Sequence, residues 1–254
     1  MQGEHVAARG PLPIPPSEQG QPVIFSVGGG ENGMALAGRY ANGVIGAVFT
    51  IEDARNQREA YREAARRAGR NPDEVKFFAG VMPAIAATQR APLDRRVALG
   101  EKVFPARVPY LGSMLGLSLD VSHLDERLTP SQLAAAHASP FDLRSARALE
   151  IALEGWTIRD ILADGVIDYH PTPVGPASVT ADHLQEWFEA GACDGFWVFL
   201  DINEDGIDTF VDEVVPILQE RGIYHHDYEG TTIRDHLGAP AQYGLDPRLT
   251  SPVA

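Results

Sequence analysis

Cysteine is nearly absent: Cys193 is the only one in 254 residues. An internal disulfide framework and a multi-cysteine zinc site are therefore excluded. Cations are scarce too, with 21 Lys+Arg against 35 Asp+Glu, a formal net charge of −14. Nucleic acids and anionic membranes recruit clustered positive charge, so neither is an expected partner. No apolar run approaches the length that spans a bilayer, and the opening MQGEHVAARG has no signal-peptide core. A cytoplasmic location is the expectation. What is present is an ordinary globular composition, 44% hydrophobic and 22% charged. That length fills one large core or two small ones.

Proline punctuates the start. Pro11, Pro13, Pro15 and Pro16 fix φ and remove donors, so residues 9–20 read as an extended surface segment. The run from Pro22 to Val27 reads as a buried strand, Gly28 to Gly33 as a glycine-rich turn, and Met34 to Tyr40 as a short helix. A Val/Ile-rich strand follows over Gly43–Phe49. Thr50-Ile-Glu-Asp53 is a capping-box pattern, opening a helix with Ala60, Tyr61, Ala64, Ala65 and Ala68 on one face. Lys76 to Met82 is a third strand. This alternation is the grammar of parallel α/β proteins.

From Ala84 to Leu162 the sequence offers only helical candidates and loops, with capping signals at Thr129 and Thr157 and a Gly/Leu-rich loop with a short helix over Tyr110–Leu119. Alternation resumes with a helix over Val179–Ala190, pointing Leu184, Trp187 and Phe188 inward. A strand over Phe196–Leu200 and a last helix over Asp208–Glu220 follow, the helix presenting Phe210, Val211, Val214, Val215 and Leu218. Gly222 caps it, and the tail from 224 to 254 is polar.

Three segments carry candidate chemistry. Gly28-Gly-Gly-Glu-Asn-Gly33 fits G-x-G-x-x-G between strand and helix, with Glu52 and Asp53 about 20 residues on, as a dinucleotide site wants. Backbone N–H groups at a helix N-terminus suit any phosphate, and a plain tight turn needs the same glycines. Asp201-Ile-Asn203-Glu-Asp205-Gly206 with Asp212 spaces oxygens like a calcium loop. Asp208 stands where such loops bury an aliphatic residue, so the competing reading is an acidic loop in which Asp208 caps the last helix. Histidine is the third. His225-His226-Asp227 invites a metal and His183 a general base, yet neither has a regular partner set, and a polar tail and a solvated helix face account for them. Cys193 reads as a small core residue.

Several blocks together resemble the luciferase-like flavin monooxygenases, in the branch containing nitrilotriacetate monooxygenase component A and dibenzothiophene-sulfone monooxygenase. They are Arg9 to Pro15, Gln21 to Ile24, the glycine turn with Leu36-Ala37, Gly80-Val-Met-Pro83, and Leu111-Gly112 with Leu115-Gly-Leu117. Leu184 to Gly191, Asp194-Gly-Phe196, Phe210 to Asp212, Val214 to Gly222, and Tyr228 to Thr231 with Arg234-Asp235 complete the set. The resemblance covers nearly the whole chain. It implies a (β/α)8 barrel with residues 84–165 as a helical insertion, reduced FMN as cofactor, O2 as oxidant and a small organic substrate. A separate NAD(P)H-dependent flavin reductase would supply the flavin. It maps the flavin-phosphate turn onto Gly28, Gly29 and Gly30, and returns Glu52 and Asp53 to helix capping.

Two departures from the family pattern matter. Its glycine turn usually carries a serine that reaches the phosphate, whereas Gly29 and Gly30 offer only backbone N–H groups. About four strands are legible where closure needs eight, so the expectation is one partial domain over 1–254, the C-terminal part of a barrel without its N-terminal strands. No residue is then assignable as catalytic, and no metal is expected. For the chain alone this implies weak or absent flavin binding and no turnover. Two alternatives stand beside it: a non-enzymatic remnant or self-pairing interaction module, which would make a homo-oligomer, and an NAD(P)-binding domain using the G-x-G-x-x-G turn.

Overall fold

The computed structural model describes residues 2–5, 7–10 and 14–241, so Pro11 and Pro13 and the tail beyond 241 lie outside the described residues. The protein is α/β. Its central sheet has the order β1-β2-β3-β6, all parallel, from β1 (Phe25–Val27), β2 (Gly43–Gly46), β3 (Lys76–Val81) and β6 (Gly195–Val198). A second, two-stranded parallel sheet pairs β4 (Ala84–Ile85) with β5 (Val174–Gly175).

Helices α1 (Glu31–Tyr40) and α2 (Ile51–Arg67) link the first three strands, as parallel pairing requires. Thr50 Oγ1 accepts from the Asp53 amide, starting α2 where the capping pattern placed it. α2 buries Tyr61 and Ala65 against Val44 and Phe77, the sheet residues that point to the same face, and Ala64 against Gly38 of α1. Helix α8 (Ala177–Glu189) covers the other half of that face with Ala181, Leu184 and Trp187. Cys193 is buried beside it, and burial pushes its thiol up to about 12.

The opposite face is different. Register places Phe25, Phe78 and Trp197 on it, with ring centroids 5.3 Å apart for Phe25–Phe78 and 6.3 Å for Phe25–Trp197. Phe25 is 39% exposed, Trp197 40% and Val27 69%. The expectation of a buried first strand is therefore corrected. β1 is apolar, but it is an edge strand, shorter than the run from Pro22, and among the described residues no helix covers its outer face.

Between β4 and β5 lies a helical layer: α3 (Arg90–Gly100), α4 (Phe104–Met114), α5 (Pro130–Ala135), α6 (Ser145–Leu153) and α7 (Ile158–Ala163). It has its own core, including Val108, Leu111, Ile151, Ile158 and Leu162. The caps forecast at Thr129 and Thr157 do start α5 and α7, Thr129 as a full capping box and Thr157 by accepting from the Asp160 amide. The loop expected from Tyr110 is instead the second half of α4 as far as Met114. Pro105 sits in the first turn of α4, where its missing N–H costs nothing, and the helix continues past Pro109.

The last helix is also broken where one was expected. α9 (Gly206–Thr209) passes into a π-helical turn, Phe210–Val214, before α10 (Val215–Glu220). Pro216 cannot donate to the preceding turn, and the wider i→i+5 turn absorbs that loss. The helix starts before Asp208, so Asp208 is not its cap, and Val211 is exposed rather than inward. Phe188, expected inside, is likewise 45% exposed. Beyond α10 the chain returns through α11 (Ile233–His236) to the segment just before β1. There Arg234, 3% exposed, donates from Nε to the Gln21 carbonyl (2.7 Å), from Nη1 to Pro240 (2.9 Å) and from Nη2 to Pro22 (3.3 Å). Among the described residues no helix is long and apolar enough to cross a membrane.

Candidate functional site

The C-terminal ends of the parallel strands converge on one side of the molecule, the side where α/β folds carry ligands. β1 ends in the glycine turn. Gly28 has φ +106°, a conformation that favours glycine, and its carbonyl accepts from the buried Tyr61 hydroxyl at 2.9 Å. A Cβ on Gly33 would lie 2.9 Å from that same carbonyl oxygen, so Gly33 is fixed by close approach. Gly29 and Gly30 are unlike it, since a Cβ on either meets nothing within 4 Å. Gly30 is the N-cap of α1 and supplies no side-chain cap. The helix start is thus exposed and has no side-chain cap, the arrangement an anion completes. Glu31 in that first turn is the one carboxylate of the helix start and opposes it.

A cavity of about 510 Å³ lies beyond the ends of β2 and β3. Met82 and Ala84 donate to the carbonyls of Pro171 and Pro173, so the 170–174 segment runs alongside the continuation of β3 and forms a wall. Phe49, three residues after β2, is another, and α8 contributes Val179 and His183. The helical layer closes it with Leu143, Arg144, Arg147, Asp164 and Val166.

Arg144 organises this end. Its guanidinium stands 5.2 Å from the Phe49 ring centroid and donates to both Asp142 oxygens, at 2.8 and 2.7 Å. It also donates to the Ile167 and Asp168 carbonyls and to the Tyr110 hydroxyl, which in turn donates to Asp142. The Arg144 hydrogen bonds hold the Asp142 carboxyl down at about 2. Arg147 donates to Glu150 at 2.9 Å and more loosely to Asp164 at 3.4 Å. Burial raises the Asp164 carboxyl despite that partner. Arg96 and Arg107 both pair with Asp168, fixing the loop that leads to His170.

His170 is 9% exposed and stacks on Phe199 with centroids 5.3 Å apart. Its ring lies so close to Gly80 that a Cβ there would fall 2.2 Å from Nδ1, and Nδ1 has no hydrogen-bond partner. Burial lowers its pKa. His183 packs 5.2 Å from Trp187, and burial takes it down to about 4. The expectation of a solvated helix face for His183 is corrected: it is a cavity wall.

The other sequence candidates fall elsewhere. Asp201 is 4% exposed in its side chain and paired to Arg95 at 2.9 Å, so the first position of the calcium-like spacing already has a cation. Asn203, Glu204 and Asp205 face solvent. His225 stacks on Tyr224 with centroids 4.2 Å apart and meets Tyr228 at 5.0 Å in a tilted contact. Among the described residues no group of three or more His, Cys, Asp or Glu is placed to hold a metal. The cavity residues Phe49, Arg144, Arg147, Asp164 and His170 were not singled out by sequence. The only local hint was a histidine followed by Pro171 and Pro173, which marks an extended segment and nothing more.

The luciferase-like monooxygenase family model matches residues 1–192. Over 245 residues the chain is 36% identical to N-acetyl-S-(2-succino)cysteine monooxygenase of Bacillus subtilis (strain 168), covering 93% of this chain and 54% of that protein. Over 252 residues it is 32% identical to dibenzothiophene-sulfone monooxygenase of Rhodococcus erythropolis, covering 93% and 53%. Among solved structures it superposes on EDTA monooxygenase from Chelativorans sp. BNC1 with a TM-score of 0.70 and 27% identity, covering 95% of this chain and 56% of that one. The chain spans about half the length of the curated relatives it matches.

Proposed function

The chain belongs to the luciferase-like monooxygenase family, and from that membership we propose that it forms the flavin-phosphate side of an FMN-dependent monooxygenase. The observation that carries the reading is the glycine turn: an uncapped helix start at the C-terminal end of β1, with open space over Gly29 and Gly30. In this reading the amides of Gly29, Gly30 and the first turn of α1 hold the phosphate, while Tyr61 holds the turn in shape through Gly28. Reduced FMN, delivered by an NAD(P)H-dependent flavin reductase, supplies the electrons with which O2 oxygenates a small organic molecule. The chain's own part is to bind the phosphate, to orient the ring system over the strand ends and to keep water from the cavity beside it.

The proposal extends to organisation. Residues 1–254 correspond to the C-terminal part of a (β/α)8 barrel, with 9–20 as an extended lead-in, 84–165 as the helical insertion and 224–254 as the tail. The four-stranded parallel sheet supports this, because a parallel sheet normally has both faces covered and here, among the described residues, Phe25, Val27 and Trp197 on one face stay 39–69% exposed. The chain by itself then binds FMN weakly and does not turn over.

Equilibrium dialysis of the chain against FMN and against riboflavin tests the phosphate role. FMN binding several-fold tighter than riboflavin is expected; equal binding overturns it. Oxygenase turnover by the chain alone would overturn the partial-barrel reading. The bare aromatic face favours a second reading, a self-pairing module, which a sedimentation mass of two chains would support.

A further inference from the structure

The cavity beside the strand ends carries information about what it accepts. At about 510 Å³ it has the size of a small-molecule site, and this chain's own residues line it. Its walls include Phe49, Leu143, Val166, Val174 and Val179. Two guanidiniums reach it, and both are already committed. Arg144 is bidentate to Asp142 and has further acceptors in two carbonyls and a hydroxyl. Arg147 is shared between Glu150 and Asp164.

The two imidazoles in the wall are held neutral by burial. A carboxylate entering here would give up hydration and would have to compete with Asp142 for Arg144 and with Glu150 and Asp164 for Arg147, which is costly. An uncharged molecule meets apolar walls with a few neutral hydrogen-bonding groups, His170 and Thr172 among them.

We infer that this cavity takes an uncharged, predominantly apolar small organic molecule and discriminates against polycarboxylates. That this molecule is the substrate rests on the monooxygenase reading. Its binding does not need flavin, so the two are tested apart.

The full chain at neutral pH is titrated with dibenzothiophene sulfone, with nitrilotriacetate and, separately, with FMN, by saturation-transfer NMR. The sulfone is expected to bind saturably and nitrilotriacetate at least about tenfold more weakly. Val179→Phe, at a half-exposed wall position, should weaken sulfone binding at least about fivefold while circular dichroism stays unchanged. Asp164→Asn releases one side of Arg147 and should narrow the gap by tightening nitrilotriacetate. Nitrilotriacetate binding as tightly as the sulfone, no binding of either, or sulfone binding untouched by Val179→Phe overturns the inference. Loss of FMN binding alone, with the sulfone result intact, counts against the flavin reading and leaves this one standing.

Discussion

Gly30→Ser restores the hydroxyl that the glycine turn lacks relative to the family pattern. Gly30 has φ −71° and ψ 161°, the ordinary N-cap geometry for serine, and a Cβ there meets nothing within 4 Å. The substitution therefore introduces no strain. The new oxygen can accept from a first-turn amide of α1 while its proton is donated to a phosphate oxygen. A hydrogen bond to a charged group contributes about 1.5–3 kcal/mol, which converts to roughly 10- to 150-fold in FMN affinity. The capping effect is far smaller, because serine exceeds glycine at an N-cap by only a few tenths of a kcal/mol, worth about 1 °C in a chain of this size. The two contributions are thus separable. FMN fluorescence titrations of the parent, Gly30→Ser and Gly30→Ala measure the first, and thermal melts without flavin measure the second. A gain confined to serine and absent for riboflavin is expected. An equal gain for alanine, or none for serine, refutes the placement of phosphate over this turn.

Gly33→Ala should lower stability by about 1 kcal/mol, the contact with the Gly28 carbonyl outweighing the gain in helix propensity, while Gly29→Ala stays within about 0.5 kcal/mol. Urea titrations decide it, and a stabilised Gly33→Ala would sink the close-approach argument. His183 falls from the ordinary 6.5 to about 4 in the folded state, so between those values the unfolded chain binds more protons and stability drops as pH falls. At pH 5 the loss from this group is about 2 kcal/mol, and His183→Gln should remove most of it in paired unfolding curves at pH 7 and 5. Cys193 is buried with its thiol near 12, so Ellman's reagent should find no reactive thiol in the native chain and one after unfolding. A fast native reaction contradicts that burial.

The α/β alternation was legible because helices and strands announce themselves locally: the Thr50 cap, the alanine face of α2 and the proline and glycine stops around β3. What neighbours do was not legible. Phe25 and Phe188 are as apolar as Phe77, yet only Phe77 has a helix across from it, and apolarity does not report whether a covering element exists. The π turn before Pro216 escaped because a lone proline signals a break without saying that the helix re-forms after it. The cavity escaped for a deeper reason. Its walls come from positions near 49, 89, 144, 165, 172 and 183, brought together only by the parallel crossovers and the helical layer. The glycine turn was the opposite case, a candidate site written in six consecutive residues.

The Arg234 clasp joins carbonyls 213 and 212 residues upstream, across nearly the whole described chain. A closure of that span carries an entropy cost on the order of 5 kcal/mol, which a few hydrogen bonds cannot offset until the sheet between the two ends is already assembled. Loop-closure entropy therefore predicts that the clasp forms late in folding, after the barrier has been crossed. Contacts formed that late govern how long the native state lasts rather than how fast it is reached. Removing the guanidinium should leave the refolding limb of a chevron almost where it was and lift the unfolding limb. The segment that looked like a polar afterthought in the sequence then acts as a kinetic latch, setting the lifetime of the edge strand that begins three residues after Pro22.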